Sequence, residues 1–180
     1  MVMIAAFLVT DRKDSGTDTD SADNAYEETY ASYGYERLVS SLEFDADCVT
    51  DELGWIEDAQ ETAEELEYFF DLTGVQPYIY LAAYSAELAS EDDMLSYAED
   101  WYDQNIDNEY TLLYFYFAEE NADEEIGYMC YVAGTEAAGI FNDDTMDVFW
   151  DYIDYYWDTE LETGSMFAAA FCDTADALME

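Results

Sequence analysis

The chain has 180 residues, of which 51% are hydrophobic and 18% aromatic, so it can bury the core of one domain and is not a disordered acidic chain. Its 46 Asp and Glu residues against three Lys and Arg residues give a formal charge of −43, which repels nucleic acids and anionic lipids. The chain has no histidine, which excludes Ser-His-Asp and Cys-His nucleophiles and every zinc site that uses histidine.

The cationic side chains all lie near the N-terminus and are Arg12, Lys13 and Arg37. No lysine or arginine after Arg37 can therefore neutralise the carboxylates of the rest of the chain. Repulsion among so many like charges destabilises a compact state unless counterions or bound metal ions offset it. We therefore expect a surface that attracts cations. Adaptation to high salt is the alternative explanation of the same charge.

The three cysteines, Cys48, Cys130 and Cys172, are widely spaced and form no CxxC motif. At most one disulfide can form among them, and the spacing leaves the redox compartment open. Cys130 lies in a predicted strand, so we interpret it as a buried, reduced thiol.

Residues 1–10 begin with an uninterrupted apolar run, from Met1 to Val9, that ends in a charged turn. Crossing a bilayer takes about 20 apolar residues, so this segment cannot span one by itself. We expect either the remnant of a hydrophobic membrane anchor whose upstream part precedes Met1, or an ordinary N-terminal strand or helix. Residues 11–37 are rich in Ser, Thr and Asp and lack hydrophobic periodicity, which predicts an acidic linker.

The predicted domain covers residues 38–180 and opens with a helix. Thr50 or Asp51 is expected to cap this helix, since acidic residues follow in the first turn. The apolar residues then recur every three to four positions to about Leu72, and Gly74 is expected to end the helix.

Strands and a helix alternate in the middle of the domain. The run over 75–83 predicts a strand, and Ser90 with Asp93 resembles a capping box that starts a helix with one apolar face. Two runs rich in aromatic and β-branched residues, 110–117 and 126–132, predict an antiparallel strand pair. The first of these runs is apolar almost throughout, which favours a central strand covered on both faces.

Two helices complete the predicted domain, one capped by Asp143 or Asp144 and one that follows Gly164. Strands joined by a helix tend to be parallel, and strands joined by a hairpin are antiparallel. The predicted fold is therefore α/β, with a mixed β-sheet sandwiched between α-helices.

Acidic loops precede the first strand of the antiparallel pair and follow the second. These two points lie at the same end of the sheet, so carboxylates that are distant in sequence can converge there. Calcium binds about six to eight oxygen atoms from carboxylates and carbonyls on adaptable loops. We therefore predict a divalent-cation site, with Ca²⁺ as its ion, and the candidate ligands are Asp107, Asn108, Glu136, Asp143 and Asp144.

Three stretches of the chain resemble the TPM domain, and in particular the membrane-anchored TPM proteins of Gram-positive bacteria. They are Asp-Glu-Leu-Gly-Trp-Ile at 51–56, Thr-Gly-Val-Gln-Pro-Tyr-Ile-Tyr at 73–80, and residues 134–144. The resemblance covers about 48–179. It implies an α/β sandwich with a mixed sheet, an extracytoplasmic location and a hydrophobic tether of which residues 1–10 would be the remnant.

The site motifs of this family match the sequence in part. The family's Asp-Asn-Gly turn corresponds to residues 107–109, where Glu replaces Gly, and its Gly-x-Gly-x-Glu stretch is partly present at 134–136. The family's Asp before the next helix corresponds to Asp143 or Asp144. Some relatives bind calcium or similar ions at an acidic site and others are acid phosphatases, so the resemblance implies both possibilities.

Two functions follow from these observations as expectations. The first is an extracytoplasmic, membrane-tethered module that binds a divalent cation and a cationic partner, such as a basic protein segment or a polyamine. The alternative is a metal-dependent phosphatase, in which a bound ion polarises a phosphate ester. The lack of Lys and Arg after Arg37 opposes this alternative because phosphate is an anion.

Overall fold

The computed structural model describes the backbone of residues 3–9 and describes in full residues 33–85, 88, 90–118 and 127–179. A five-stranded sheet lies between two layers of helices, and its strand order is β1-β5-β4-β3-β2. The elements are β1 (Met3–Val9), β2 (Val49–Asp51), α1 (Ala59–Thr73), β3 (Gln76–Ala83), α2 (Glu91–Asn105), β4 (Thr111–Ala118), β5 (Gly127–Ala133), a short 3₁₀ helix (Ala137–Gly139), α3 (Asp143–Trp157) and α4 (Thr163–Leu178).

The sheet is mixed, and the predicted fold class is confirmed. Strands β2, β3 and β4 run parallel, and a helix lies between each consecutive pair of them. Strand β5 pairs antiparallel with β4 on one side and with β1 on the other. The pairing follows the chain connections, because a parallel strand needs a long crossover whereas an antiparallel neighbour needs only a short loop.

The central strand β4 is buried along its whole length, as its apolar sequence predicts. Successive side chains of a strand point to opposite faces of the sheet. Tyr114 therefore packs against Phe149 of α3 and Phe167 of α4, whereas Phe115 packs against Trp101 of α2. Helices α1, α3 and α4 thus cover one face of the sheet, and α2 covers the other.

The predicted start of the first helix is wrong by about two turns. The carboxylate of Asp51 accepts hydrogen bonds from the backbone N–H groups of Leu53, Gly54 and Ile56, which closes a tight turn instead of capping a helix. Gly54 lies in the left-handed region (φ +70°), which glycine adopts at little cost. Helix α1 is capped by Asp58, whose carboxylate accepts from two backbone N–H groups of its first turn.

The cap of α3 also differs from the prediction. Asn142, rather than Asp143 or Asp144, is the N-cap residue, and its backbone N–H donates to the hydroxyl of Thr145 at 2.9 Å. Asp143 and Asp144 lie in the first turn of the helix instead, where the positive end of the helix dipole stabilises carboxylates.

Residues Met3–Val9 of the N-terminal apolar run form an edge strand of the sheet, and the interpretation of residues 1–10 as the remnant of an anchor stays a prediction. Most of the predicted linker, residues 11–32, lies outside the described residues. The segment 33–40 is joined to the domain, since Tyr35 pairs with Met179 and the backbone N–H of Leu38 donates to the carbonyl oxygen of Thr73 at 2.9 Å. In the described part of the chain, we find no helix with the length and apolar character that a membrane span requires.

Candidate functional site

The loop before β4 and the loop after β5 lie side by side at one end of the sheet. The backbone N–H groups of Glu136 and Ala137 both donate to the carbonyl oxygen of Glu109, each at 3.0 Å. The N–H of Gly134 donates to the carbonyl oxygen of Thr111, also at 3.0 Å. We call residues 107–111, 134–136 and 142–144 the rim. The structure therefore brings together the backbone of the two loops that carry most of the candidate ligands.

Hydrogen bonds within the rim already use several of its polar side chains. The amide oxygen of Asn108 accepts from the backbone N–H of Tyr110 at 2.8 Å and from the hydroxyl of Thr111 at 3.1 Å. The carboxylate of Glu109 accepts from the backbone N–H of Thr135 at 2.7 Å. This bond lowers the pKa of the exposed Glu109 carboxyl, because it stabilises the ionised form.

Glu109 was not among the residues proposed from the sequence. Its carboxylate bonds the loop before β4 to the loop after β5. Only knowledge of the opposing loop could have revealed this role, since the two partners are 26 positions apart.

Two of the candidate ligands, Asn108 and Asp143, accept hydrogen bonds from tyrosines on opposite faces of the sheet. Asp143 accepts from the hydroxyl of Tyr131 at 3.0 Å, and Tyr131 belongs to the core beneath α3. The backbone carbonyl oxygen of Asn108 accepts from the hydroxyl of Tyr102 at 2.9 Å, and Tyr102 belongs to the core beneath α2. The side chains of Asp107, Glu136, Asp143 and Asp144 are exposed. Across the described residues, no three Asp, Glu or Cys side chains are grouped as ligands of a metal ion.

Tyrosine hydroxyls bond carboxylates between elements of this fold. In a chain with so few cations, a phenol O–H is an available donor to a carboxylate. Such bonds join β3 to the loop after β2, β5 to α3, α1 to α4, and α3 to α4. The pairs are Tyr80 with Glu52 (2.7 Å), Tyr131 with Asp143 (3.0 Å), Tyr68 with Asp176 (2.7 Å) and Tyr156 with Asp173.

The one cationic side chain of the described region, Arg37, is bound to the C-terminal end of α1. Its Nε donates to the carbonyl oxygen of Asp71 at 2.8 Å, and its guanidinium lies 5.8 Å from the centre of the Phe70 ring. A cation at this end of a helix stabilises the negative end of the helix dipole. Arg37 is therefore used in holding the segment before the domain against α1.

Comparison with known proteins supports the fold alone. No protein-family model matches this sequence, and no curated protein matches it. The solution NMR structure of the N-terminal domain of the cg2496 protein from Corynebacterium glutamicum is similar, with a TM-score of 0.52 and 17% sequence identity. The similarity covers 79% of this chain and 88% of that domain. At this identity the likeness establishes a shared architecture, and the TPM resemblance stays a prediction.

The three thiols are expected to be unreactive in the native protein. Burial raises the pKa of Cys48, Cys130 and Cys172 from 9.0 to about 12. At pH 8 the thiolate, which is the nucleophilic form, should therefore be roughly a thousand-fold rarer in the folded than in the unfolded chain. Labelling with a thiol reagent should be correspondingly slower than in urea and should rise about tenfold per pH unit. Equal labelling rates in the two states would contradict this expectation.

The hydroxyl of Tyr114 is fully buried, and no hydrogen-bond partner for it exists among the described residues. A buried donor without a partner costs about 1–3 kcal/mol. Replacing Tyr114 by Phe should therefore raise the free energy of unfolding by about 1 kcal/mol in a urea titration. The matched control is Tyr131→Phe, which removes the donor to Asp143 and should lower stability by about 1 kcal/mol. A loss of stability in both variants would contradict the conclusion that the Tyr114 hydroxyl is buried without a hydrogen-bond partner.

Proposed function

We propose that this domain is a non-catalytic, acidic binding module that takes up divalent cations, calcium in particular, and binds a basic segment of a partner. The observation that carries the proposal is the charge balance of the described fold. Its one guanidinium, Arg37, is held at the end of α1, where it bonds a backbone carbonyl oxygen. The chain has three cationic side chains against 46 carboxylates, so most of the neutralisation has to come from cations in solution or from a ligand.

We propose that the first calcium ions to bind do so at the rim. It presents exposed carboxylates at Asp107, Glu136, Asp143 and Asp144, and hydrogen bonds to the carbonyl oxygen of Glu109 join the loops that carry Asp107 and Glu136. Because these side chains are not preassembled into a ligand shell, we expect low affinity, with a dissociation constant of about 10⁻⁴–10⁻³ M. Extracellular calcium modules bind calcium in this range.

The proposed partner is recognised through charge. A strongly negative surface attracts a basic segment over long distances and accelerates its association, and salt screens this attraction. Membrane tethering and the exterior location remain part of the proposal through the sequence resemblance.

A metal-assisted phosphatase receives less support from the described residues. Phosphate must be bound against a negative field, and the described domain offers only Arg37, whose guanidinium is already bound beside Phe70.

Calorimetric titration of the metal-stripped protein with CaCl₂ tests the calcium part of the proposal. We expect saturable heat in the millimolar range, reduced in a triple variant of the rim, Asp107→Asn, Asp143→Asn and Asp144→Asn. A matched triple variant at exposed positions elsewhere, Glu57→Gln, Glu67→Gln and Glu160→Gln, removes the same charge and should bind as the original chain does. No heat up to about 10 mM CaCl₂ would contradict calcium binding, and equal weakening in both variants would contradict the rim as its place.

Titration with a hexalysine peptide tests the partner part of the proposal. We expect binding in a low-salt buffer that falls steeply as NaCl rises to about 0.5 M. Failure of the peptide to bind in low salt would contradict a partner recognised through charge.

A further inference from the structure

Three aromatic side chains lie together where β3 meets α2, and we call them the aromatic edge. They are Tyr78 and Tyr80 of β3 and Trp101 of α2. The centre of the Trp101 ring lies 5.2 Å from that of Tyr78 and 5.2 Å from that of Tyr80. Tyr80 is buried against Phe115, whereas Tyr78 and Trp101 are partly exposed. The aromatic edge is thus a rigid ring surface with two members that solvent can reach.

Hydrogen bonds to neighbouring elements hold the two tyrosine rings in place. The hydroxyl of Tyr78 and that of Thr50 in β2 lie 2.9 Å apart. The hydroxyl of Tyr80 donates to the carboxylate of Glu52, which also accepts from the backbone N–H of Ala83 at 3.1 Å. A surface that is held in place loses little conformational entropy when a ligand binds.

Carboxylates border the aromatic edge on the side of β2. Burial is the main cause of the raised pKa of the Tyr78 phenol, and the charges of the exposed Asp45 and Asp47 make a smaller contribution. The loop that carries them is bound to β3, because the Gln76 side chain accepts from the N–H of Asp45 at 2.8 Å and donates to its carbonyl oxygen at 3.0 Å. Aromatic faces and carboxylates therefore occur together at this position.

We propose that the aromatic edge is a docking surface for an arginine side chain of a basic partner segment. A guanidinium stacks on aromatic faces and donates in parallel to a carboxylate, whereas the ammonium of lysine is a compact, strongly hydrated charge. The surface is complementary to such a group in charge, and its aromatic rings offer a stacking partner. The same contact type occurs within the chain, where the guanidinium of Arg37 lies over the ring of Phe70. Strand β2, beside this surface, is the last strand of the described sheet.

This inference rests on the proposed function and adds to it a preference for arginine. The experiment compares hexaarginine and hexalysine peptides of equal charge by calorimetry in low salt. We expect hexaarginine to bind roughly fivefold more tightly than hexalysine. The Tyr78→Leu variant should lose this preference and retain its affinity for hexalysine. The indole N–H resonance of Trp101 should shift on addition of hexaarginine, and the indole resonances of Trp150 and Trp157 should stay in place.

Control variants separate docking from general charge and from loss of folding. Tyr155→Leu changes an exposed tyrosine elsewhere and should keep the preference for arginine, and thermal unfolding checks that Tyr78→Leu is folded. Should Tyr78→Leu not fold, Asp47→Asn provides the test, since it should weaken hexaarginine binding more than Glu160→Gln, which removes an equal charge at a distance. Equal binding of the two peptides, or a preference that survives both Tyr78→Leu and Asp47→Asn, would overturn the inference and leave the proposed function intact. Failure of both peptides to bind would overturn both.

Discussion

Replacing Gly134 by alanine should destabilise the domain by about 2–3 kcal/mol, the upper part of the range for overpacked cores. A Cβ atom at this position would lie 2.5 Å from the hydroxyl oxygen of Tyr102 and 2.6 Å from the backbone carbonyl carbon and oxygen of Glu109. Backbone atoms cannot rotate away as the end of a flexible side chain can. The loops before β4 and after β5 would have to separate.

Urea unfolding measures this effect, and Gly139→Ala is its matched control. Gly139 follows in the same loop, where a Cβ atom would meet nothing within 4 Å, so alanine there should be nearly neutral. We also expect the amide resonance of Thr135 to shift in Gly134→Ala, because its bond to the Glu109 carboxylate would be strained. Equal stability of the Gly134→Ala and Gly139→Ala variants would contradict the close packing of the rim.

The features that the sequence predicts correctly depend on local chemistry or on long periodic runs. The apolar run that became β4 is buried on both faces, and Ser90 caps α2 through a hydroxyl that accepts from the backbone N–H of Asp93. The mixed sheet follows from the same reasoning, since connection length decides whether neighbouring strands run parallel or antiparallel. These features could be predicted because each depends on residues close together in the chain.

The features that the sequence misses depend on partners distant in the chain. Asp51 followed by acidic residues is typical of a helix start, but pairing with β3 holds Val49–Asp51 as a strand. The bond between Glu109 and Thr135 depends on how the sheet aligns two loops, and the bond between Tyr68 and Asp176 spans 108 positions. The structure brings the backbone of the two loops together, and the divalent-cation site itself stays a prediction. Among the residues that the structure describes, no three Asp, Glu or Cys side chains are grouped as ligands of a metal ion.

The second large effect is expected from cations in solution. With a formal charge of −43, the folded chain holds its like charges closer together than the unfolded chain does, so repulsion opposes folding. Raising the ionic strength from about 0.01 M to 0.15 M shortens the Debye length from about 30 Å to about 8 Å. The melting temperature should therefore rise markedly with NaCl.

Calcium should stabilise the folded chain by more than the screening of its charges alone does. A site with a dissociation constant of about 1 mM contributes about 1.4 kcal/mol at 10 mM free Ca²⁺, since the ion binds the folded chain in preference to the unfolded one. For a chain of this length, that corresponds to a rise of about 3–6 °C for each site. The rim variant Asp107→Asn, Asp143→Asn and Asp144→Asn should gain less stability from calcium than the original chain does.

Thermal unfolding of the metal-stripped protein in NaCl and in CaCl₂ at matched ionic strength tests the need for external cations most directly. We predict a melting temperature that climbs with NaCl from about 0.01 M to 1 M and lies several degrees higher in CaCl₂ than in NaCl. A melting temperature that is the same at every salt concentration and with either cation would contradict the need for external cations.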